Sequence, residues 1–425
     1  MIEHFFDIDP RVAEAARQAE ARCAGPFAAV DKTAEYNGCK VLAAFINNGV
    51  SEACLKGSTG YGYDDMGRDK LDQVFAAALG AEDALVRHTM VSGTHALATA
   101  LFGALSPGDR MVSVTGQPYD TLEETIGLRG QGDGSLMEWG VEYRQVELLP
   151  DGSPDHPAIA REAAGARMIY IQRSRGYSLR PTLTVERIGE IARTAKAANP
   201  QVVVMVDNCY GEFVETAEPT QAGADLIAGS LIKNPGGGIA QTGGYIAGRK
   251  ALVDRCAARL TCPGMGREVG CTLDQLRPMY QGVFFAPTVV ASAVKTAIFA
   301  AALFEQLGFE VNPGPEALRS DIIQSVLLGG PERLVAFCRG IQKGSPVDSF
   351  VAPEPWAMPG YESPVVMAAG AFTLGASIEL SADAPLREPY AAFLQGGLTY
   401  PSGKTGVVLA AQAMLEQGLL ELPTA

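Results

Sequence analysis

The sequence is poor in the residues that build metal sites and disulfide scaffolds. It contains four histidines in 425 residues, and none of them pairs with another at the spacing of zinc ligands. Its eight cysteines are scattered without a C-x-x-C pair, in a chain far larger than a small disulfide-stapled domain. We therefore expect reduced thiols and no structural metal.

Positive charge is also scarce. The chain has 34 lysines and arginines against 48 acidic residues, which gives a formal net charge of −14. Such a surface repels nucleic-acid phosphates and anionic membranes, so we expect neither as a partner. The N-terminal residues lack the apolar core and cleavage site of a secretory signal, and no run of about 18 uncharged apolar residues occurs. These absences predict a cytoplasmic protein.

Apolar residues are plentiful, at 47% of the chain, and they occur in two kinds of pattern that alternate along it. Short continuous apolar runs are typical of buried strands, and runs with helical spacing separate them. This alternation predicts an α/β fold with a mostly parallel sheet. The predicted strands are residues 84–91, 109–115, 167–174, 201–208, 225–231 and 243–248, and the predicted helices are residues 9–24, 69–85, 95–105 and 184–199.

The length predicts more than one domain. We expect an N-terminal helix and arm at residues 1–55, of which residues 37–66 are rich in Gly, Asn, Ser and Tyr and predict an extended segment. A large domain follows at residues 56–290. A long Ala-rich connector helix at 286–308 then leads into a smaller α+β domain at residues 291–425, with a strand at 371–380.

Two polar residues end apolar strands in the middle of the chain. Asp207 closes VVVMVD, where α/β folds place ligand-binding groups, although a polar strand cap would look the same. Lys233 follows the next apolar strand in GSLIKNPGGG, where desolvation would lower its pKa and let it form an imine. Pyridoxal 5'-phosphate requires both a lysine for its aldehyde and a carboxylate for its pyridinium nitrogen. The pair therefore predicts this cofactor.

Other motifs fit the same cofactor. Ser92-Gly93-Thr94 stands between a strand and a helix, where backbone amides bind phosphate, although a plain helix cap has the same sequence. Ser230 offers a further hydroxyl. Tyr119 follows the next strand and is placed to stack on the pyridine ring, unless it is an ordinary core tyrosine; His95 is a rival for stacking.

In this order the motifs resemble those of fold type I pyridoxal-phosphate enzymes, and most closely the Cys/Met-metabolism lyases. The strings GYGYDDMGRDKLD, SGTHAL, GQPYDTLEET, IQRSRGYS, VDNCYGEF, LIKNPGGG, QGVFFAP and QGGLTY resemble the branch of methionine γ-lyase-like or aluminium-resistance proteins. The resemblance runs from about residue 40 to the C-terminus. It implies a large domain built on a mostly parallel sheet of the seven-stranded type, followed by a smaller α+β C-terminal domain.

The resemblance also implies roles for individual residues. Lys233 would carry the cofactor as a Schiff base and move the substrate's protons, and Asp207 would pair with the pyridinium. Ser92, Gly93, Thr94 and Ser230 would hold the phosphate. Tyr119 would stack on the ring and take part in catalysis.

Further roles concern the subunit interface and the substrate. In related lyases a tyrosine and an arginine from a neighbouring subunit reach the phosphate, and Tyr63 and Arg68 resemble them, although the usual Tyr-x-Arg spacing is not kept. Tyr61 competes with Tyr63 and is a candidate for substrate contact. We expect Arg387 to bind the substrate carboxylate, with an ion pair to Glu388 as the alternative. Arg173 and Arg175 are further candidates.

The resemblance implies a lyase for a small sulfur-containing, or otherwise Cβ- or Cγ-substituted, amino acid. The products would be a thiol, ammonia and a 2-oxo acid. A replacement enzyme of the synthase type uses the same intermediates and stays open, while a catalytically silent pyridoxal-phosphate-binding metal-tolerance protein is disfavoured by the intact Asp207 and Lys233. If Tyr63 or Arg68 serves a neighbour's cofactor, a homodimer is minimal, and the resemblance implies a tetramer.

Overall fold

A computed structural model describes residues 2–130, 132–357 and 363–422 and divides the chain into two compact units. The larger unit contains residues 37–176 and 180–285, and the smaller contains residues 1–36, 177–179 and 286–425. The predicted N-terminal segment of residues 1–55 is therefore shared between the two units.

The helices are α1 (Pro10–Arg22), α2 (Ala24–Asn47), α3 (Met66–Ala78), α4 (Gly93–Ala104), α5 (Asp120–Ile126), α6 (His156–Ala163), α7 (Val185–Ala198), α8 (Lys250–Leu260), α9 (Leu276–Gln306), α10 (Pro331–Lys343) and α11 (Tyr400–Glu416). The strands are β1 (Asp83–Arg87), β2 (Arg110–Ser113), β3 (Glu142–Gln145), β4 (Met168–Gln172), β5 (Val203–Asp207), β6 (Leu226–Ser230), β7 (Gly244–Gly248), β8 (Glu310–Asn312), β9 (Gln324–Leu327), β10 (Val365–Ala368), β11 (Ser381–Pro385) and β12 (Ala391–Gln395).

The larger unit is built on a seven-stranded sheet with the order β1-β7-β6-β5-β4-β2-β3. Strands β6, β5, β4, β2 and β3 run parallel, whereas β7 is antiparallel to both of its neighbours. The central strands β4, β5 and β6 are buried along their whole length, which explains their continuous apolar runs. This architecture confirms the predicted α/β fold with a mostly parallel sheet.

Helices α4 and α8 pack closely against each other on this sheet. A Cβ atom at Gly103 would lie 2.9 Å from the Cα atom of Cys256, so only glycine permits this separation of the two helices. Apolar residues of α4 and α8 join those of β4 and β5 in one core, which fixes the start of α4 beside the strand ends.

The smaller unit contains a five-stranded antiparallel sheet with the order β10-β11-β12-β9-β8. Strand β12 follows β11 after a short turn, and its five residues are buried. The sequence predicted none of these five strands, and it also missed β3 in the larger unit. It also predicted a strand at residues 371–380 that is wrong: these residues form bends and turns, in which Gly375 has a φ of 82° that strands do not use.

The helices differ from the sequence prediction at several points, and α5, α6, α8, α10 and α11 were not predicted. Helix α3 ends at Ala78, seven residues before the predicted end, and the last residues of the predicted helix belong to β1. Residues 37–47 continue α2, so the predicted extended segment is wrong as far as Asn47. Helix α9 begins ten residues before the predicted start and contains Pro287 in its interior. Helix α9 is long and apolar enough to span a membrane, but 72% of its most apolar window is buried inside the structure, as in a core helix.

All eight cysteines are free, and Cys39 and Cys262 are the two that are exposed. Within the described ranges 2–130, 132–357 and 363–422, no group of three or more His, Cys, Asp or Glu side chains is arranged to hold a metal ion.

Candidate active site

A pocket in the larger unit lies at the carboxyl ends of β4, β5 and β6. Open α/β sheets bind ligands at this edge, because the loops and helix N-termini that follow the strands meet there. The pocket is lined by Gly93, Thr94, Leu97, Tyr119, Thr121, Leu122, Gln172, Ser174, Gly176, Asp207, Cys209, Tyr210 and Lys233. The structure thus brings together five of the residues that the sequence selected: Gly93, Thr94, Tyr119, Asp207 and Lys233.

Lys233 supplies the amino group of this pocket. It follows β6 and precedes a short 3-10 turn at Asn234–Gly236, and its Nζ atom lies 4.1 Å from the centroid of the Tyr210 ring. Burial alone would lower the pKa of Lys233, as the sequence suggested. The neighbouring Cys209, Tyr210 and Asp207 act in the opposite direction and raise the pKa overall.

Asp207 ends β5 and is 6% exposed. The backbone N–H of Cys209 donates to its Oδ1 atom at 3.1 Å, and the Tyr170 hydroxyl lies 3.5 Å from its Oδ2 atom. Burial raises the pKa of Asp207, whereas the charge of Lys233 lowers it. A buried carboxylate of this kind is suited to a cationic partner such as a protonated ring nitrogen.

The N-terminus of α4 forms one wall of the pocket. A Cβ atom at Gly93 would lie 3.2 Å from the Cβ of Ser230, so the glycine leaves open a space that any side chain would narrow. The hydroxyl oxygens of Thr94 and Thr121 are 2.8 Å apart, which holds the Thr94 side chain at this wall. Backbone amides at the start of a twelve-residue helix, with hydroxyls beside them, fit a phosphate group.

Ser92 and His95 stand outside the lining of the pocket. The Ser92 hydroxyl accepts a hydrogen bond from the backbone N–H of His95, as a helix cap does, at 3.0 Å. The Nδ1 atom of His95 accepts one from the N–H of Val91 at 3.2 Å. Both side chains are thus used by the turn that begins α4, and Tyr119 has no competitor from His95 inside the pocket.

Tyr119 lies immediately before α5, and its ring faces the loop after β4. A Cβ atom at Gly176 would lie 3.2 Å from the Cδ2 atom of Tyr119 and 3.4 Å from the Nε2 atom of Gln172. Gly176 also has a φ of 57°, which other residues rarely adopt. The loop therefore needs glycine here to leave room beside an aromatic ring.

Taken together, the lining fits pyridoxal phosphate. An amino group, a buried carboxylate, an aromatic ring and a helix N-terminus with threonine hydroxyls match the aldehyde, ring nitrogen, ring face and phosphate of this cofactor.

The proposed interface residues lie elsewhere in the larger unit. The rings of Tyr61 and Tyr63 are 68% and 60% exposed and pack on each other at 5.5 Å between centroids. Arg68 is only 2% exposed, and its Nη1 atom donates to the carbonyls of Gly62 and Gly270 at 2.8 and 3.1 Å. Arg68 therefore braces the loop that carries the two tyrosines, which argues against its predicted contact with a phosphate.

Arg173 does not reach the pocket. It is fully buried, and its guanidinium donates to Asn208 Oδ1 at 2.7 Å and to Glu215 Oε1 at 2.8 Å. These bonds argue against the predicted contact with a substrate carboxylate, because they occupy both terminal nitrogens. Arg175 is also buried. Arg387 lies in the smaller unit, exposed in the turn between β11 and β12.

The sequence missed eight residues of the lining, and four of them carry polar or reactive groups beside Asp207 and Lys233 or at the start of α4: Gln172, Cys209, Tyr210 and Thr121. Gln172 could have been found, because it ends the apolar strand MIYIQ and is the register partner of Asp207 on the neighbouring parallel strand. Tyr210 has a φ of 72°. Backbone strain of this kind is common at functional sites, but no sequence pattern predicts it.

Comparisons with known proteins point to one family. The family model described as "Methionine gamma-lyase" matches residues 12–415. The uncharacterised protein YnbB of Bacillus subtilis strain 168 is 48% identical over 407 residues, which are 95% of this chain and 97% of YnbB. A crystal structure from Clostridium novyi NT, described as a carbon-sulfur lyase involved in aluminum resistance, is 48% identical with a TM-score of 0.92, and the match covers 96% of each chain.

A more distant structure identifies the fold. The pyridoxal-5'-phosphate-dependent protein YhfS from Escherichia coli has a TM-score of 0.60 at 16% identity, covering 91% of this chain and 97% of YhfS. At this identity the likeness concerns the fold alone, which is that of fold type I pyridoxal-phosphate enzymes.

Proposed function

This chain belongs to the methionine gamma-lyase family, and we propose that within this family it eliminates a thiol from a sulfur-containing amino acid and, with the uptake of one water, gives a 2-oxo acid and ammonia. The family membership confirms the resemblance, the fold type and the pyridoxal-phosphate dependence predicted from the motifs. At the level of reaction class, the chain is a carbon–sulfur lyase. The choice of substrate and of the bond that breaks is our proposal.

One observation carries the proposal: Lys233, Asp207, Tyr119 and Thr94 line a single pocket at the strand ends. Each of these four residues is suited to bind one part of the cofactor, namely its aldehyde, ring nitrogen, ring face or phosphate. The remaining lining combines Gly176, Ser174 and Gln172 with the apolar side chains of Leu97 and Leu122.

The reaction can be described through the residues of the chain. When bound, pyridoxal phosphate supplies an acceptor for the electron pair that is left on the substrate α-carbon. Asp207 would hold a proton on the ring nitrogen, and Tyr119 would cover the ring face. The Nζ atom of Lys233 would first hold the aldehyde and then, once released, take the proton from the α-carbon.

Departure of the thiol needs a proton at sulfur. We assign this donation to the hydroxyl of Tyr119, and Lys233 returns its proton to the carbon skeleton. For the substrate carboxylate we assign Arg387, since Arg173 is occupied by Asn208 and Glu215. Replacement of Arg387 by lysine would then raise KM more than it lowers kcat.

A panel of S- and O-substituted amino acids tests the function directly. Release of thiol with pyruvate would identify β-elimination, and release with 2-oxobutyrate would identify γ-elimination. A new thioether formed only when a second thiol is added would identify a replacement enzyme instead. A colourless protein that takes up no pyridoxal phosphate, or one that releases no product from the panel, would contradict the proposal.

We also propose that the working form is a homodimer or a tetramer built from dimers. The support is the exposed pair Tyr61 and Tyr63, whose rings pack on each other on a loop braced by Arg68 and would be covered by a second copy. Light scattering on the active enzyme is the test, and a fully active monomer would contradict this assembly.

A further inference from the structure

A cluster of polar side chains is buried in the larger unit, on the opposite side of the strand ends from the pocket. We call Arg173, Asn208, Glu212, Glu218 and Tyr245 the buried polar cluster, and all five are 0% exposed. Asn208 directly follows Asp207, and Arg173 directly follows Gln172. Since successive residues of a strand point to opposite faces, the cluster and the pocket share the same backbone.

Hydrogen bonds connect the members of the cluster. The Nδ2 atom of Asn208 donates to Glu218 Oε2 at 3.1 Å and lies 3.3 Å from the Tyr245 hydroxyl. That hydroxyl donates to Glu212 Oε1 at 2.8 Å. The second oxygen of Glu218 accepts from the backbone N–H of Phe213 at 2.9 Å. Two atoms of the cluster, Oε2 of Glu212 and Nε of Arg173, have no hydrogen-bond partner within the described residues.

The charges of the cluster do not balance if every carboxyl group is ionised. Arg173 is its one cation; it binds Glu215 at the rim and lies 3.6 Å from Glu218. In the part of the chain that the structure describes, no lysine or arginine forms an ion pair with Glu212. The groups that face Glu212 are the Tyr245 hydroxyl, the Glu218 carboxylate, the more distant Arg173 and the Cys209 thiol.

Glu212 therefore keeps its proton at neutral pH. Burial raises the pKa of Glu212 to about 8; hydrogen bonds from its own backbone and from Tyr245 lower it, and the charge of Glu218 raises it further. The unpartnered Oε2 atom is the natural position for that proton. A neutral carboxylic acid avoids the cost of a buried and unpaired charge.

Glu212 also contacts both ends of the segment that carries Lys233. A Cβ atom at Gly229 would lie 2.5 Å from Glu212 Oε1 and 2.7 Å from Cε1 of Tyr245, so the acid and the ring pack directly on β6. On the other side, the Nδ2 atom of Asn234 donates to the backbone carbonyl of Glu212 at 3.0 Å. Gly229 and Asn234 flank Ser230 and Lys233.

We propose that Glu212 is a positioning residue, which in its neutral form holds the segment 229–234 so that Ser230 and Lys233 face the cofactor. Ionisation would place an unpaired charge against β6 and Tyr245, and the segment would shift to relieve it. As the pH rises, Lys233 therefore leaves the position in which it faces the cofactor, and activity falls. This inference rests on the proposed function only where enzyme activity is the measurement.

The test compares wild type with Glu212→Gln, which keeps the size and the neutral charge but cannot ionise. In wild-type holoenzyme, kcat for thiol release falls as the pH rises through about 8, and the visible band of the bound cofactor changes over the same range. In E212Q both changes move to higher pH, while kcat at neutral pH stays within about twofold of wild type. The matched control is Glu190→Gln, a partly exposed carboxyl on α7, which leaves the profile unchanged.

A second variant keeps the test decisive if E212Q folds poorly. Tyr245→Phe removes the hydroxyl that donates to Glu212, and because this bond lowers the pKa of Glu212, its loss moves the alkaline decline to higher pH. Identical pH profiles for wild type, E212Q and Y245F would overturn the proposal.

Unfolding measurements on the full chain test the role of Glu212 independently of the proposed enzyme function. The pKa of Glu212 rises from 4.5 in the unfolded chain to about 8 in the folded one, so wild type loses stability relative to E212Q as the pH rises between these values. Above the folded pKa the difference is constant. If no substrate of the panel reacts, this difference and the cofactor band still decide the role of Glu212. If the denaturation midpoints of wild type and E212Q differ by the same amount at all pH values, the proposed role of Glu212 is contradicted.

Discussion

The amino group of Lys233 rests on the face of the Tyr210 ring, with 4.1 Å between the nitrogen and the ring centroid. The ring belongs to a residue with a φ of 72°, so the backbone adopts an unfavourable conformation to present it. Such a contact favours the charged lysine and fixes where its nitrogen lies before the cofactor enters.

Removal of this ring should slow the reaction. A cation–π contact contributes about 0.5–2 kcal/mol, so we expect Tyr210→Leu to lower kcat by about 2- to 30-fold. Tyr210→Phe keeps the ring and should lie between wild type and Y210L. Steady-state kinetics on the best substrate of the panel give the comparison. Equal activity of the Leu and wild-type enzymes would show that the ring is not used.

Lys233→Ala should abolish turnover, with a fall in kcat of at least about 100-fold, because both the aldehyde anchor and the proton carrier are lost. The visible band and its loss on borohydride reduction should disappear as well. Lys404→Ala is the control, since Lys404 pairs with Glu20 on the smaller unit and has no place in the pocket. An active K233A enzyme would remove the basis of the assignment.

Asp207→Asn keeps the shape of the side chain and removes its charge. The expected result is a fall in kcat of about 100-fold or more, because a ring nitrogen without an anionic partner is a poorer electron acceptor. Cofactor binding should weaken too. Absorbance titration with pyridoxal phosphate measures the binding, and the same affinity and kcat as wild type would refute the pairing.

Thr121→Val tests the wall at the start of α4. The variant removes the hydroxyl that lies 2.8 Å from that of Thr94, and one hydrogen bond is worth about 1 kcal/mol. We expect the dissociation constant of the cofactor to rise about fivefold. Thr121→Ser retains the hydroxyl and should behave as wild type, so equal losses in both variants would point to packing instead.

Arg173→Leu should destabilise the fold rather than weaken substrate binding. Removal of one member of a buried charge pair costs about 3–5 kcal/mol, and here it leaves Glu215 and Glu218 without their cation. The exposed Arg187, which pairs with Glu190 on α7, provides the control, because its replacement by leucine should cost less than about 1 kcal/mol. Urea unfolding compares the two variants. A raised KM with unchanged stability in R173L would instead restore its predicted role at the substrate.

The sequence predicted the central strands and the residues at their ends because both leave a plain signal. A continuous apolar run indicates a strand buried on both faces, and a polar residue at its end indicates the edge where ligands bind. Asp207 and Lys233 were found in this way. Gln172 carries the same signal, at the end of MIYIQ, and was overlooked.

The error on Arg173 has a related cause. A charged residue after a strand faces either the ligand or the opposite side, and the alternation along the strand decides between them. Since Gln172 lines the pocket, Arg173 must face the buried polar cluster, as Asn208 does after Asp207. The strained φ of Tyr210 and the hydrogen bonds of Arg68 to two loop carbonyls arise from tertiary packing, which no local pattern encodes.

The free cysteines have a practical consequence for work on this protein. Cys39 and Cys262 are exposed, so reagents that count a released thiol will also count these two side chains on every molecule. Neither residue lines the pocket. An enzyme with serine at both positions would give a low background, while either single cysteine would accept a dye or a cross-linker for sizing the assembly.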